Sequence, residues 1–229
     1  MRLEQMTWRE VECFREQEQG VLLLPVGSTE QHGPMGLIGT DAFCAAAIAE
    51  RAAQLCDATI IAPTIAFTPA PFNMAFPGTI SMSEGLFCAM VGEIVDGLAG
   101  QGFRYLYFLN AHGANLAPLR SVAADRPGVR IRIRSWWEFS PVNRLRQEWY
   151  GDWEGMHATP SEIAITMTSH RIPPVPAEAL VPPNKLPPDY ARLHAGDRHG
   201  PPDQHRREFP DGRVGSHSAL ANARQGATL

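Results

Sequence analysis

The run Val21-Leu22-Leu23-Leu24-Pro25-Val26 is apolar and ends at Gly27. A short apolar run bounded by a turn residue is typical of an interior strand of an α/β sheet, where ligands collect beyond the carboxyl ends of the strands. The loop that follows reads Gly27-Ser28-Thr29-Glu30-Gln31-His32-Gly33-Pro34-Met35-Gly36-Leu37-Ile38-Gly39-Thr40-Asp41. Glu30, His32 and Asp41 are therefore candidate metal ligands. Oxygen and imidazole donors without thiolate suit zinc, manganese or another borderline divalent ion.

Strand and helix patterns alternate beyond this loop. Thr40 is the predicted N-cap of an alanine-rich helix that reaches about Leu55, and Ser81-Met82-Ser83-Glu84 is predicted to form the capping box of a second helix. Further strands are predicted at 60–63, 105–109 and 129–134. Strands that alternate with helices indicate βαβ units, so we expect a mostly parallel sheet covered on both faces.

Composition limits the classes of protein and partner. A chain of 229 residues with 44% hydrophobic and 19% charged residues is typical of one globular domain. A net charge of -4 lacks the basic excess that phosphate contacts need, so we expect no nucleic-acid partner. No apolar run approaches the ~20 residues of a membrane span. The amino terminus is polar where a signal peptide would be apolar, which predicts a cytoplasmic protein.

The cysteine pattern indicates thiols rather than a metal or redox motif. Cys13, Cys44, Cys56 and Cys88 show no C-x-x-C spacing. Three of the four lie in apolar helical patterns, where small buried thiols are common. We therefore interpret the cysteines as reduced core residues.

The carboxyl-terminal part of the chain differs in composition, because ten of the 20 prolines fall between Pro173 and Pro210. We predict a core at 1–171 and a proline-rich arm at 172–229. The arm could be a linker or a flexible tail, but Tyr190, His194 and Phe209 equally favour packing on the core or on a neighbouring subunit.

A second cluster, Asn110-Ala111-His112-Gly113-Ala114-Asn115, follows the strand predicted at 105–109. His112 is thus expected on the same rim as Glu30 and His32. The small residues around it would let the backbone approach an ion, and Asn110 or Asn115 could hold the turn through side-chain hydrogen bonds. The alternative is an ordinary strand-to-helix turn with an incidental histidine.

A third cluster, His157-Ala158-Thr159-Pro160-Ser161-Glu162, contains a capping box with threonine at N-cap, proline at N1 and glutamate at N3. Capping alone would account for Glu162. His157 precedes the helix and is free to point into a cleft, where an imidazole can move protons near neutral pH.

Together the clusters offer five donors: Glu30, His32, Asp41, His112 and Glu162. One ion does not need them all, whereas a pair of ions that share Asp41 as a bridge would use each one. Such a pair lowers the pKa of a shared water and polarises a carbonyl oxygen, which is the chemistry of amide hydrolysis.

The three motifs, in this order, resemble those of the creatininase family, over roughly 8–139 and 155–168. Pro77-Gly78-Thr79 also resembles a loop of that family. The resemblance implies a three-layer α/β/α amidohydrolase with two divalent ions, zinc or manganese with iron as a third option, and assembly as a hexamer. It also implies that the five donors are the ligands, with Asp41 bridging, and that His157 is the catalytic proton carrier.

Two departures from the family pattern bear on the substrate. Creatininase itself has a glutamate where this chain has Ala114, so Glu162 must serve the second ion and creatinine is disfavoured. His-Ala-Thr-Pro-Ser-Glu replaces the commoner third motif but keeps its spacing. Trp153 resembles the tryptophan that closes over the substrate ring in creatininase, and Trp136 or Trp137 could assist. Core or interface packing explains these tryptophans equally well.

The resemblance implies that a metal-bridged hydroxide attacks a cyclic amide or formamide while His157 protonates the leaving nitrogen. Creatinine, formamidopyrimidine nucleotides and peptides of mycofactocin assembly are the substrates that the family suggests. The sequence has no evident phosphate-binding loop to favour the nucleotide, although arginines in the 130s or in the carboxyl-terminal arm could supply one. Two other hypotheses about the function stay open. The protein could be a non-catalytic metal-binding scaffold, or it could be a single-ion peptidase or deformylase that uses only Glu30, His32 and His112.

Overall fold

The computed structural model describes residues 1–17 and 20–229. Its sheet has the strand order β2-β1-β3-β4, and every neighbouring pair is parallel. The strands are β1 (Val21–Val26), β2 (Thr59–Ile61), β3 (Tyr105–Asn110) and β4 (Arg130–Ser135). The predicted parallel α/β sheet is confirmed.

Helices of very different length surround the sheet. They are α1 (Trp8–Arg15), α2 (Thr40–Gln54), α3 (Glu84–Gly100), α4 (Leu116–Ala124), α5 (Ser140–Trp149), α6 (Pro160–Thr166), α7 (Ala177–Leu180), α8 (Tyr190–Leu193), α9 (Pro202–Glu208) and α10 (Ala223–Thr228). Short 3₁₀ turns lie at Leu3–Gln5, Pro71–Asn73, Gly113–Asn115, Trp136–Glu138, Gly151–Trp153 and Ser218–Leu220. None of the helices in the described ranges combines the length and apolar character that crossing a bilayer requires.

Two hydrophobic cores, one on each face of the sheet, create the three layers. Alternate residues of β1 point to opposite faces, because side chains alternate along a strand. Leu22 and Leu24 pack with α3 and α4 through Phe87, Val91, Val95, Leu119 and Val122. Leu23 packs on the other face with α2 and α6 through Cys44, Ala45, Ala49 and Ile165. The chain is therefore an α/β/α sandwich.

The register of the sheet brings two loops together at one edge. Val26 at the end of β1 lies opposite Asn110 at the end of β3. Since both strands run in the same direction, the loops that leave them begin side by side. The sheet tolerates Pro25 in β1 because β2 has already ended at Ile61, and the carbonyl of Pro25 accepts instead from the backbone N–H of Ile65 at 2.9 Å.

Two predicted helix starts need correction. Gly39, not Thr40, is the N-cap of α2, and Thr40 lies inside the first turn, where its hydroxyl donates to the carbonyl of Leu37 at 2.7 Å. At α3 the N-cap is Ser83, which makes Leu86 the third helical residue, so Glu84 is too early to complete a capping box. Ser81 instead accepts from the backbone N–H of Ala70.

Residues 172–229 carry α7 to α10 and contact the rest of the chain. Helix α10 packs against α6, and Val214 forms an isolated antiparallel bridge with His157. The division into a core at 1–171 and an arm at 172–229 stays a prediction, as does any contact with another subunit. The segment 172–229 is called the arm below.

The interpretation of all four cysteines as core residues was wrong for two of them. Cys44 is buried and Cys88 is partly buried, but Cys13 and Cys56 are exposed. All four are free thiols. Cys56 follows the end of α2, so it is beyond the apolar face that suggested burial.

Candidate metal centre

The loop after β1 buries Glu30 and His32 directly beyond the strand. The backbone N–H of Glu30 donates to the carbonyl of Ile38 at 2.9 Å, which folds the loop back on itself. Ser28 donates to Glu30 Oε2 at 3.3 Å. Gly27 permits the close approach of α2, because a Cβ at Gly27 would lie 2.3 Å from the backbone nitrogen of Ala42. Asp41, in the first turn of α2, is thereby brought against the loop.

The turn after β3 is held by asparagine side chains, as the sequence predicted. Asn110 Oδ1 accepts from the backbone N–H of His112 at 3.2 Å, and Asn110 Nδ2 donates to the carbonyl of His112 at 2.8 Å. Asn115 Nδ2 donates to the carbonyl of Gly27 at 2.9 Å. These bonds tie the β3 turn to the β1 loop and fix His112 between them.

The predicted capping box is present at the start of α6. Thr159 accepts from the backbone N–H of Glu162 at 3.2 Å, and Glu162 Oε2 accepts from the backbone N–H of Thr159 at 2.9 Å. Because the cap uses Oε2, the Oε1 atom is left for another partner. A carboxylate oxygen of Glu162 lies within 4.8 Å of donor atoms of both His32 and Asp41. Glu162 is therefore both a helix cap and part of the cluster.

Asp41 lies between two groups of donors and presents one oxygen to each. Its Oδ1 lies 2.9 Å from His32 Nε2, and its Oδ2 lies 3.2 Å from His112 Nδ1. His112 Nδ1 is also 3.4 Å from Glu30 Oε1. The first group is Glu30, Asp41 and His112, and the second is His32, Asp41 and Glu162. The structure thus brings together all five predicted donors, and each group could hold a metal ion.

The backbone selects the ring nitrogen that each histidine turns toward the centre. In each case the other ring nitrogen faces a main-chain carbonyl. Nδ1 of His32 lies 3.1 Å from the carbonyl of Glu30. Nε2 of His112 lies 2.8 Å from the carbonyl of Pro69, and Nε2 of His157 lies 2.7 Å from the carbonyl of Gln31. A carbonyl can only accept, so that nitrogen carries the proton. The nitrogen that faces the centre is therefore free to bind a metal or to accept a proton.

Two buried oxygens in the cluster call for a cation. Glu30 Oε1 and Asp41 Oδ2 are among the buried polar atoms with no hydrogen-bond partner in the described part of the chain. A buried carboxylate oxygen without a partner is costly, whereas a divalent ion between several carboxylates compensates their charge. The donor set of carboxylates and imidazoles fits zinc or manganese.

Burial and close contact shift the pKa values of the titratable groups in the cluster. Burial raises the pKa of Glu30 to about 8 and that of Glu162 to about 7. Although burial opposes both shifts, His32 and His112 hold the pKa of Asp41 well below its usual range, and Asp41 raises the pKa of His32 to about 10. Burial and the neighbouring His32 lower the pKa of His157, so its ring is neutral.

We expect the ion-free protein to lose stability as the pH rises from about 6.5 to 8. In this range folded Glu30 and Glu162, with pKa values of about 8 and 7, keep protons that the unfolded chain has released, since the usual pKa is 4.5. A group that binds more protons in the folded state stabilises it less at higher pH. The raised pKa values of His32 and His112 act in the same direction.

Thermal unfolding of chelator-treated protein at pH 6.5 and 8 checks this expectation. The midpoint should fall toward pH 8, and added zinc or manganese should weaken the dependence, because an ion stabilises the charged carboxylates. The Glu30→Gln variant, which has no proton to release at this position, should show a smaller fall. A midpoint that rises between pH 6.5 and 8 would contradict the account.

A cavity of about 350 Å³ opens onto the cluster. Asp41, His112, His157 and Glu162 line it, together with Trp136 and Trp137. Trp136 is 2% exposed, and its indole Nε1 has no partner within residues 1–17 and 20–229. Trp153 does not line this cavity and lies edge-on to His217 with a ring distance of 6.0 Å. The substrate contacts predicted for the three tryptophans stay predictions.

One acidic residue near the cluster was missed by sequence reasoning. Asp197 of the arm lines the same cavity, and its Oδ2 lies 3.6 Å from His112 Nδ1. It follows α8 in a region whose prolines suggested only an extended arm. Neither spacing nor composition marked it, and the only signal was the space that Gly113 and Ala114 leave beside His112.

Comparison with known sequences points to one family. A family model described as creatininase, creatinine amidohydrolase, matches residues 4–229. The chain is 25% identical to a creatinine amidohydrolase of Pseudomonas putida over 71% of this chain and 69% of that protein. It is 32% identical to a mycofactocin precursor peptide peptidase of Mycolicibacterium smegmatis over 45% of this chain and 44% of that protein.

Comparison with solved structures supports the same fold. A crystal structure of creatinine amidohydrolase superimposes with a TM-score of 0.80, covers 99% of this chain and 91% of its own, and is 22% identical. Another neighbour, a manganese form of creatininase, superimposes with a TM-score of 0.72 at 20% identity, over 99% of this chain and 91% of its own. At these identities the likeness establishes the three-layer fold.

Proposed function

Because the chain belongs to the creatininase family of amidohydrolases, we propose that it hydrolyses the C–N bond of a cyclic amide or formamide with the help of two divalent ions. The observation that carries the proposal is the position of Asp41, whose Oδ1 faces His32 and whose Oδ2 faces His112. A carboxylate placed in this way suits a bridge between two ions. Glu30 and His112 would complete one site, and His32 and Glu162 the other.

The ions, when bound, supply a Lewis acid for the carbonyl oxygen and lower the pKa of a nearby water. The chain supplies the proton transfer. His157 is neutral, donates from Nε2 to the carbonyl of Gln31, and has Nδ1 3.5 Å from Glu30 Oε1 at the cavity wall. Its Nδ1 can take a proton from the attacking water and give it to the leaving nitrogen as the C–N bond breaks.

The residues that line the cavity would orient a small substrate. The volume of about 350 Å³ is at the lower end of the range for small-molecule sites. Trp136 and Trp137 would form an aromatic part of the wall against which a substrate packs. Burial of these groups also excludes bulk water, which strengthens each polar contact. A small amide fits a cavity of this volume.

A short peptide is the second candidate substrate. A larger cavity of about 870 Å³ adjoins the first and shares Gly113 and Asp197 with it. This space would admit the rest of a peptide whose scissile bond lies at the metal centre. The match to a mycofactocin precursor peptide peptidase adds weight to this class.

Metal stoichiometry tests the two-ion proposal directly. Protein purified without chelator or affinity-tag metal is expected to contain two equivalents by plasma mass spectrometry. Glu162→Gln should contain one, because it removes a ligand of one site only. Wild type with one equivalent, unchanged by Glu162→Gln, would favour the single-ion hydrolase. The absence of bound metal, even after zinc or manganese is added, would favour the scaffold.

A substrate screen then separates the chemical classes. Creatinine, other cyclic amides, N-formyl compounds and short peptides should be incubated with the metal-loaded protein and followed by mass spectrometry. Turnover of a ring or formyl group supports the first candidate, and turnover of peptides alone supports the second. The proposed cytoplasmic location and hexameric assembly need separate tests, the latter by sedimentation.

A further inference from the structure

Asp197 comes close to the donor group formed by Glu30, Asp41 and His112. His112 Nδ1 lies 3.2 Å from Asp41 Oδ2, 3.4 Å from Glu30 Oε1 and 3.6 Å from Asp197 Oδ2. Two ligands that each lie about 2.1 Å from a tetrahedral zinc ion are about 3.4 Å apart. The distance from Asp197 to His112 is thus close to that of two ligands on one ion.

The turn after β3 is shaped to admit this carboxylate. Asp197 Oδ2 accepts from the backbone N–H of Ala114 at 3.1 Å. A Cβ at Gly113 would lie 2.3 Å from the same oxygen, so only glycine leaves room for it. The backbone of Asp197 has a φ of 53°, a left-handed conformation that residues other than glycine rarely adopt. Ala114 has no side chain that could bind a metal ion, and the arm places the carboxylate of Asp197 beside it.

Among residues 1–17 and 20–229, Asp197 has no cationic partner besides His112. Its side chain is 13% exposed, and within the described ranges its ion-pair contact is with His112 alone. Glu30 Oε1 and Asp41 Oδ2, in side chains that are almost completely buried, face the same His112 nitrogen and have no hydrogen-bond partner among the described residues. Three carboxyl groups thus crowd one imidazole nitrogen, and a divalent ion among them would compensate the negative charge that they carry when ionised.

We propose that Asp197 is a further ligand of the ion held by Glu30, Asp41 and His112, supplied by the arm rather than by the β3 turn. The inference rests on the proposed two-ion function. Asp197 stands outside the groups whose donor atoms all lie within 4.8 Å of one another. An ion held by all four side chains would therefore require the Asp197 carboxylate to move closer to Glu30 and Asp41, and the charge of the ion would favour that approach.

The Asp197→Asn variant separates a ligand from a residue that only holds the turn. Asparagine keeps an oxygen that can accept from Ala114 but loses the negative charge. The test uses chelator-treated full-length protein titrated with Zn²⁺ in competition with a fluorescent chelator. We expect the Kd of one ion to rise by about tenfold or more, as when supporting groups of metal sites are removed. Asp203→Asn, at an exposed position of the same arm, should match wild type.

The ion concerned can be identified in the Glu162→Gln background. That variant is expected to keep only the ion at Glu30, Asp41 and His112, so adding Asp197→Asn should weaken the single remaining ion. If Asp197→Asn leaves both ions of wild type within about twofold of their Kd, the inference fails while the two-ion function stands. If wild type binds no ion, both fail.

Thermal unfolding guards against a variant that simply misfolds. Without metal, Asp197→Asn should unfold at a midpoint close to that of wild type, because the loss of the contact with His112 is offset by the removal of a charge that Asp41 repels. Its rise in unfolding midpoint on addition of Zn²⁺ should be smaller than that of wild type, since the stabilisation by a ligand depends on its Kd. An equal rise in both proteins would overturn the inference.

Discussion

Asp41→Asn is expected to lose the paired metal site and to lower turnover by about 10³-fold or more, since a metal ion supplies several kcal/mol of transition-state stabilisation. The reason is geometric. Asp41 presents Oδ1 to His32 at 2.9 Å and Oδ2 to His112 at 3.2 Å. Asparagine has a single side-chain oxygen, so it could bind a metal ion on one side only. Its amide NH₂ group, which would face the other group of ligands, cannot bind a metal ion.

Plasma mass spectrometry and turnover of the best substrate from the screen check this result together. Asp41→Asn should hold at most one equivalent of metal and should stay near background activity when excess zinc or manganese is added. Asp152→Asn provides the control, since it removes an exposed carboxylate that pairs with Lys185 at 2.9 Å. Two retained equivalents in Asp41→Asn would rule out the bridging role.

His157→Asn should lower turnover by about 10² to 10⁴-fold, the usual contribution of a general acid or base, and leave the metal content near that of wild type. His157 has the position for proton transfer, because Nε2 is engaged by the carbonyl of Gln31 at 2.7 Å and Nδ1 faces the centre. Asparagine is smaller and does not titrate. Substrate binding should change less than turnover.

Metal analysis distinguishes this role from a second one. Glu30, His32 and His157 also form a group whose donor atoms lie within 4.8 Å of one another, so the ring has the position of a ligand too. Loss of one equivalent in His157→Asn would make it a ligand rather than a proton carrier. Unchanged turnover would remove it from the mechanism. His170→Asn, which alters a ring stacked on Phe43, is the control.

The fold could be predicted from the sequence because its strands are short, apolar and bounded by turn residues. The run 21–26 and the run 105–109 both became central strands of the sheet. The starts of helices were less certain. Thr40 and Gly39 can both be N-caps, and the difference depends on the path of the preceding loop, where the hydroxyl of Thr40 found the carbonyl of Leu37.

The candidate site was predictable where the donors follow strands, and less so elsewhere. Glu162 was ambiguous because a capping box explains a glutamate fully, yet a carboxylate has two oxygens and the cap uses only Oε2. Asp197 could not be found, because it reaches Ala114 from 83 residues further along the chain. Such a contact depends on how the arm packs, which local patterns do not encode.

The imidazoles of the centre are oriented by main-chain carbonyls at Glu30, Gln31 and Pro69, rather than by carboxylate side chains. Every residue has a carbonyl, so the side chain at position 69 can change during evolution without removing the acceptor that orients the ring of His112. Natural drift, or deliberate redesign of the pocket, is therefore constrained here by loop length more than by residue identity. An insertion that shifts these carbonyls should damage the catalyst more than many substitutions around it.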